Sequence, residues 1–210
     1  VHVVRRDVMV LCIKSVRVYE MAVGCTDRLC LFVHHIRKAL CGTADMDGAQ
    51  AALALLWPLE LFAKDWCPKF VNPVSDMIFD ARYKGEKGPS QWVTSDVARR
   101  QVFIDDPMAG IDISVNFDWN MIKAFGRIYK KENIAKISHD VRIGIFSGDM
   151  DPIGGTKSSK AKKLLRRYQK AGLNAEIHIY KDARHELHNE KCRDEYFRDL
   201  VGFFDSAVKA

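Results

Sequence analysis

VRIGIFS (141–147), KSSKAKKLLRRYQK (157–170) and AEIHIY (175–180) follow one another with short links, and reading them together decides the fold. The first is a short apolar run that reads as a strand, and the third reads as a second strand. Between them Ala161, Leu164, Leu165 and Tyr168 recur at i, i+3, i+4 and i+7, which predicts an amphipathic helix from about Ser158. A further helix is predicted over 190–208, its apolar stripe running through Phe197, Leu200, Val201, Phe204 and Val208. Strand, helix, strand, helix implies parallel pairing, because a helical crossover is what returns the chain to the same end of a sheet. The fold class is α/β, a parallel sheet flanked by helices.

Working outward, 8–13 and 38–41 each read as a short buried strand, the second closed by Gly42-Thr43, with a helical stretch between them. AALALLWPLELFAKDW (51–66) has helical composition, and Pro58 inside it predicts a break or kink near Trp57. From Leu55 to Phe125 the chain holds eleven of its twenty-one aromatic residues with scattered Pro and Gly, so short helices and loops are expected to pack through large side chains. Such a region is either a satellite hydrophobic cluster or a lid over an apolar pocket. After Asp118 a helix through about Ala135 should place Trp119, Ile122, Phe125 and Ile128 or Tyr129 on one face. The expected organisation is a first part of the α/β core over 1–54, a helical cap over 55–138 and the remainder of the core over 139–210.

Apolar residues at 48% and charged residues at 29% describe an ordinary globular composition. The apolar run 8–13 lies between Asp7 and Lys14, too short for a signal-peptide core or a membrane span. The six cysteines (Cys12, Cys25, Cys30, Cys41, Cys67, Cys192) form no C-x-x-C pair, so reduced, buried thiols in a cytoplasmic setting are expected. Because the chain opens on Val1 rather than Met, further residues are expected upstream. The net charge of +6 is concentrated: 157–170 holds seven Lys or Arg and no acid. That composition reads as the solvated face of the helix, and no nucleic-acid motif accompanies it, so nucleic acid is not an expected partner.

In open parallel sheets ligands bind beyond the carboxyl ends of the strands. The two exit loops there read SGDMDPIGG (147–155) and KDARHELHNE (181–190). Asp151-Pro152 starts a turn, which a purely structural role would explain. The alternative is that Asp151 accepts the ring N–H of an imidazole, and His185, one exit loop on, is positioned to supply it. Other constellations carry less. HELH (185–188) is not the H-E-x-x-H zinc motif, His34-His35 has no acidic neighbour, and Gly154-Gly155 lacks the G-K-[ST] ending of a phosphate loop. No metal and no cofactor is therefore expected.

These loops, with the basic helix between them and the aromatic-rich last helix, resemble the α/β-hydrolase superfamily. The branch is that of monoacylglycerol-lipase-like and lysophospholipase-like serine hydrolases, also described as serine-aminopeptidase-like. The resemblance covers about 38–205 and extends upstream through CGTA (41–44), WVTSD (92–96), FIDDPMAG (103–110) and KENIAKISHDVRIGIFSGD (131–149). In that family the acid follows G-x-x after the penultimate core strand, matching Gly148 to Asp151, and the catalytic His commonly precedes Glu, matching His185-Glu186. The resemblance implies hydrolysis of carboxylic esters with hydrophobic acyl chains, on a small-molecule or lipid-like substrate, through a Ser-Asp-His triad.

The sequence departs from the family at the nucleophile. The tight strand-to-helix turn carrying the serine needs G-x-S-x-G, and that motif is absent. Ser15, just beyond the run 8–13, is the best positional match, but Ile13 and Arg17 stand at its glycine positions; Cys12 is a weaker thiol candidate. The competing expectation is a catalytically inactive relative that serves as a binding or interaction module.

Overall fold

A computed structural model describes residues 37–41, 49–83, 85–86 and 88–205. The strands are β1 (Arg37–Cys41), β2 (Arg142–Gly148) and β3 (Asn174–Tyr180). They pair in the order β1-β2-β3, parallel throughout, with Leu40 opposite Ile145 and Ile145 opposite Ile177. The expected strand at 38–41 is thus present, while the strand expected at 8–13 lies outside the described residues.

The alternation of β2 explains its apolar sequence. Ile143 and Ile145 point to one face of the sheet, where they pack with Ala161, Leu164 and Tyr168 of α6 (Ser159–Lys170). Phe146 points to the other, against Tyr196, Leu200 and Phe203 of α7 (Arg193–Asp205). A strand covered on both faces has no polar side and reads as a continuous apolar run. The basic residues of α6 lie opposite its buried stripe; Lys160, Lys162, Arg166 and Lys170 are exposed, as the helical periodicity requires.

Between β1 and β2 runs a helical insertion: α1 (Ala49–Ala63), α2 (Val71–Asp80), α3 (Val97–Asp105), α4 (Val115–Ile128) and the short α5 (Lys131–Ile134). Three details differ from the sequence reading. First, α1 continues through Pro58 instead of ending near Trp57. Strong helix formers flank the proline, and α1 packs along α4 with Asn116 Nδ2 donating to Glu60 Oε1 at 2.8 Å, which offsets the lost backbone bond. Second, α4 begins earlier because the Ser114 hydroxyl caps it, accepting from Phe117 N at 3.2 Å. Third, the predicted single helix is two, since Lys130 is in extended backbone; Tyr129 at the break is buried and Ile128 is exposed.

The insertion has a small core of its own, Tyr83, Trp92 and Val93 with Phe79, Phe103 and Ile153 packed around it. Much of its apolar surface stays in solvent, including Leu55, Phe62, Phe70, Met77 and Val102. No helix among the described residues is long and apolar enough to cross a membrane. The insertion meets the α/β core through the apolar side chains of Phe125, Tyr129 and Ile134, through bonds to the loop after β2, and through a dense set of polar contacts at the loop after β3. There the buried Arg184 guanidinium lies 4.0 Å from the Tyr83 ring centroid and donates to Glu86 and to the Gln91 carbonyl at 2.6 Å. The hydrogen bond from Arg184 holds the Glu86 carboxyl below its ordinary value, with the Arg100 guanidinium adding to the effect.

Two predictions follow from this packing. A carboxyl with a depressed folded-state pKa contributes stability above its unfolded value, and that contribution disappears as pH falls through the folded value. Glu86→Gln is therefore expected to be less stable than the parent at pH 7. The difference should shrink as pH is lowered from 4.5, the ordinary carboxyl value, downward; urea unfolding at a series of pH values measures it. At the end of β2, a Cβ added to Gly148 would lie 2.1 Å from the Ala183 carbonyl oxygen, a backbone contact that cannot yield locally. Gly148→Ala is expected to cost about 3 kcal/mol in the same measurement.

Candidate active site

Each candidate side chain is placed by a strand exit. β2 and β3 end in register, Gly148 opposite Tyr180, so their exit loops leave side by side. The two loops are then laced by backbone bonds: Asp149 N donates to Tyr180 O and Met150 N to Ala183 O, both at 3.0 Å, and Asp182 N donates to the Asp149 carboxylate at 2.7 Å. Asp151 follows in the first loop, His185 in the second.

His185 Nδ1 lies 3.3 Å from both Oδ1 and Oδ2 of Asp151, and each side chain is 1% exposed. An ionised carboxylate only accepts, so a bond between these atoms needs the ring proton on Nδ1, the tautomer that in a neutral imidazole leaves Nε2 as the acceptor. The turn role and the imidazole role of Asp151 coexist: Oδ1 also accepts from Ile153 N at 2.9 Å, the bond that shapes the turn at Pro152. The main chain of this loop is held from the insertion. Tyr83 Oη donates to Met150 O at 2.7 Å, and Arg82 reaches the Asp151 carbonyl at 3.5 Å and the Thr156 hydroxyl at 3.1 Å. Burial pushes the Tyr83 phenol up, keeping it a donor.

The imidazole has an aromatic wall. The Trp92 ring centroid is 4.9 Å from that of His185, tilted by 46°, and Trp92 is 2% exposed. Its indole N–H donates to Asp76 and its backbone N–H to Asp80, each at 2.7 Å. Burial raises the Asp80 carboxyl, only partly opposed by the backbone donors at Trp92 and Gln91. The main chain of the same segment pairs with the His loop: His185 N donates to Trp92 O at 3.3 Å and Glu186 N to Val93 O at 2.9 Å. A groove of about 560 Å³ on α2, lined by Asp76, Asp80, Asp112 and Lys69 among others, includes neither member of the Asp151–His185 pair.

Of the residues singled out in the sequence, the structure brings Asp151 and His185 together; Ser15 and Cys12 lie outside the described residues, as do His34 and His35. Cys192, by contrast, is described, and burial pushes its thiol up to about 11, which disfavours the reactive thiolate. His188 sits 3.8 Å from Glu186, and among the described residues no group of three or more His, Cys, Asp or Glu is arranged to hold a metal ion. Sequence reading missed Trp92, Arg184 and Glu190 as neighbours of the pair. Trp92 belongs to a quoted motif, yet nothing local to it announces contact with a residue in the last strand exit. Glu190 reads as the first residue of a helix, whereas α7 starts at Arg193 and the Glu190 side chain is buried.

Solved structures share this architecture. A thermostable carboxyl esterase from Bacillus coagulans superposes with a TM-score of 0.70 at 21% identity, covering 81% of this chain and 56% of that one. A lipase in its open form gives 0.70 at 23% identity, covering 83% and 58%. The monoacylglycerol lipase of Paleococcus ferrophilus gives 0.56 at 13% identity, covering 81% and 59%. The chain thus spans less than three-fifths of each of these proteins, and at such identities the likeness is one of fold. No curated protein sequence matches the chain. The family model described as serine aminopeptidase, S33, matches residues 42–192, well over half of the sequence. The chain therefore belongs to the serine aminopeptidase S33 family of α/β-hydrolases.

Proposed function

We propose that this chain contributes the acid and base of an ester-hydrolysing triad, with Asp151 as acid and His185 as base. The observation that carries the reading is the buried pair itself, Nδ1 of His185 at 3.3 Å from both carboxylate oxygens of Asp151. His185 Nε2 takes the proton of a serine hydroxyl as it attacks the ester carbonyl, then returns a proton to the departing alcohol. Water repeats the sequence to release the acid. Asp151 holds the tautomer and stabilises the imidazolium, and burial strengthens that interaction by excluding water. Ser15 is the nucleophile candidate in this sequence.

The substrate class is a carboxylic ester with a hydrophobic acyl chain. Support comes from the esterase and lipase names of the structural neighbours and from the insertion, whose apolar side chains at Leu55, Phe62, Trp66 and Phe70 lie in solvent. Residues 55–138 act as a cap in this reading. A second reading, a binding or interaction module without turnover, is favoured by one observation, the absence of G-x-S-x-G from the sequence.

Hydrolysis of p-nitrophenyl butyrate and octanoate by the purified chain tests the triad. His185→Ala is expected to abolish measurable turnover, and Asp151→Asn to lower kcat by about 10⁴-fold through the wrong tautomer. Equal rates for the parent and His185→Ala end the assignment. A fluorophosphonate probe separates the two readings: labelling of Ser15 supports the enzyme, and a protein that neither labels nor turns over supports the binding module.

A further inference from the structure

We propose that Glu190 is a positioning residue for His185, the joint that fixes the strip Trp92–Ser95 of the insertion to the loop carrying the base. The effect on turnover rests on the triad reading above; the geometric part does not.

Glu190 is 1% exposed. Oε1 accepts from Ser95 N and Arg184 N, both at 2.8 Å, while Oε2 accepts from the Ser95 hydroxyl at 2.6 Å and from Lys191 N at 3.2 Å. Four donors converge on one carboxylate, two from the insertion and two from the loop, and none of the four is a cationic side chain. Burying a carboxylate is unfavourable unless such bonds replace its water, and charge-assisted bonds to N–H and O–H groups do so with fixed direction. A residue serving only as the acidic start of α7 would be exposed beside the helix terminus.

The consequence for His185 follows along the main chain. Arg184 N, held by Glu190, belongs to the residue directly before the base. Beyond it the strip and loop pair continuously, through His185 N to Trp92 O, Glu186 N to Val93 O, and the Thr94 hydroxyl to Asn189 O at 2.9 Å. The same strip presents the Trp92 ring to the imidazole. Asp151 is fixed by the β2 exit, with its close approach to Ala183, and by Tyr83 and Arg82 of the insertion on the main chain of its loop. Acid and base therefore both lean on the insertion, the first through Tyr83 and Arg82 and the second through the strip Trp92–Ser95. Glu190 ties that strip to the His185 loop. Replacing its carboxylate by an amide keeps two acceptor sites at one oxygen but turns an N–H₂ group towards Lys191 N–H, a donor facing a donor.

The full chain and three variants decide the matter, read by amide hydrogen exchange, by the NMR resonance of the His185 Nδ1 proton, and by kcat and KM on p-nitrophenyl butyrate. Glu190→Gln is expected to speed exchange at the His185 and Glu186 amides by about ten-fold or more and to broaden the Nδ1 proton signal. Exchange at Ile145 and Leu164, in the sheet and α6, should stay at parent values. Turnover should fall by about ten-fold in kcat with KM unchanged. Ser95→Ala should shift the same readouts less, and Ser95→Thr, which keeps both donors, should restore them. Parent-like exchange and an unchanged Nδ1 signal in Glu190→Gln overturn the proposal, as does acceleration spread equally to Ile145 and Leu164. Should Glu190→Gln not fold, the serine variants decide: Ser95→Ala altered with Ser95→Thr restored supports the joint, and two parent-like variants overturn it. If the parent chain hydrolyses no ester, the triad reading fails while exchange and the Nδ1 signal still judge Glu190.

Discussion

The Ala183 carbonyl occupies the space that a side chain at position 148 would need, and the geometry of the site depends on that approach. Neighbouring parallel strands lie about 4.8 Å apart, so two exits in register begin almost in contact. Only a glycine at the end of β2 lets the second loop cross so near that Met150 N reaches the Ala183 carbonyl. With the two backbones locked there, Asp151 and His185 have little freedom in where they arrive. A register slip of one residue would invert the faces of β2, sending Ile143 and Ile145 towards α7 and Phe146 towards α6, at the expense of both core clusters.

The same constraint explains which parts of the molecule can be read from the sequence. VRIGIFS is legible as a strand because burial on both faces leaves a nearly continuous apolar run. AEIHIY, whose Glu176, His178 and Ile179 keep some exposure, is legible from its place after the helix, and the stripe of α6 is legible because one face alone is buried. The nearness of residues 151 and 185 is legible at second hand, since parallel neighbours joined by one crossover must exit at the same edge. The contacts of Trp92, Arg184 and Glu190 are different in kind. They join residues more than 90 positions apart with no periodicity to announce them, and Ser95 and Glu190 look in the sequence like any polar residues near helix starts. Pro58 and Tyr129 show the third case, where local preference points one way and packing in the insertion decides another. The strand expected at 8–13 and the nucleophile candidate Ser15 lie outside the described residues.

The two halves of the described structure are held by different physics. The α/β core buries Ile145, Phe146, Leu164 and Leu200 almost completely, and its stability is that of apolar area removed from water, a force without direction. The insertion leaves large apolar side chains in solvent and has only a small cluster around Trp92 and Val93. Its attachment at the His loop relies on buried polar groups, Arg184 on Glu86 and Glu190 on Ser95, each satisfied by several partners. Such networks add little net stability, yet they penalise any displacement that leaves a buried donor or acceptor unmatched.

This division bears directly on His185. An apolar contact between Trp92 and His185 alone would tolerate sliding of the indole over the imidazole, because dispersion and area burial change slowly with lateral shift. Anchoring the indole N–H on Asp76, the backbone N–H on Asp80 and the end of the strip on Glu190 removes that freedom in three directions. The separation of 3.3 Å between Asp151 and His185 is thus a property of supports held in one register: a glycine contact and the Tyr83 and Arg82 bonds fix the loop of the carboxylate, and a polar joint fixes the imidazole wall. Loosening either support leaves both residues in the sequence unchanged and still removes the geometry of the pair.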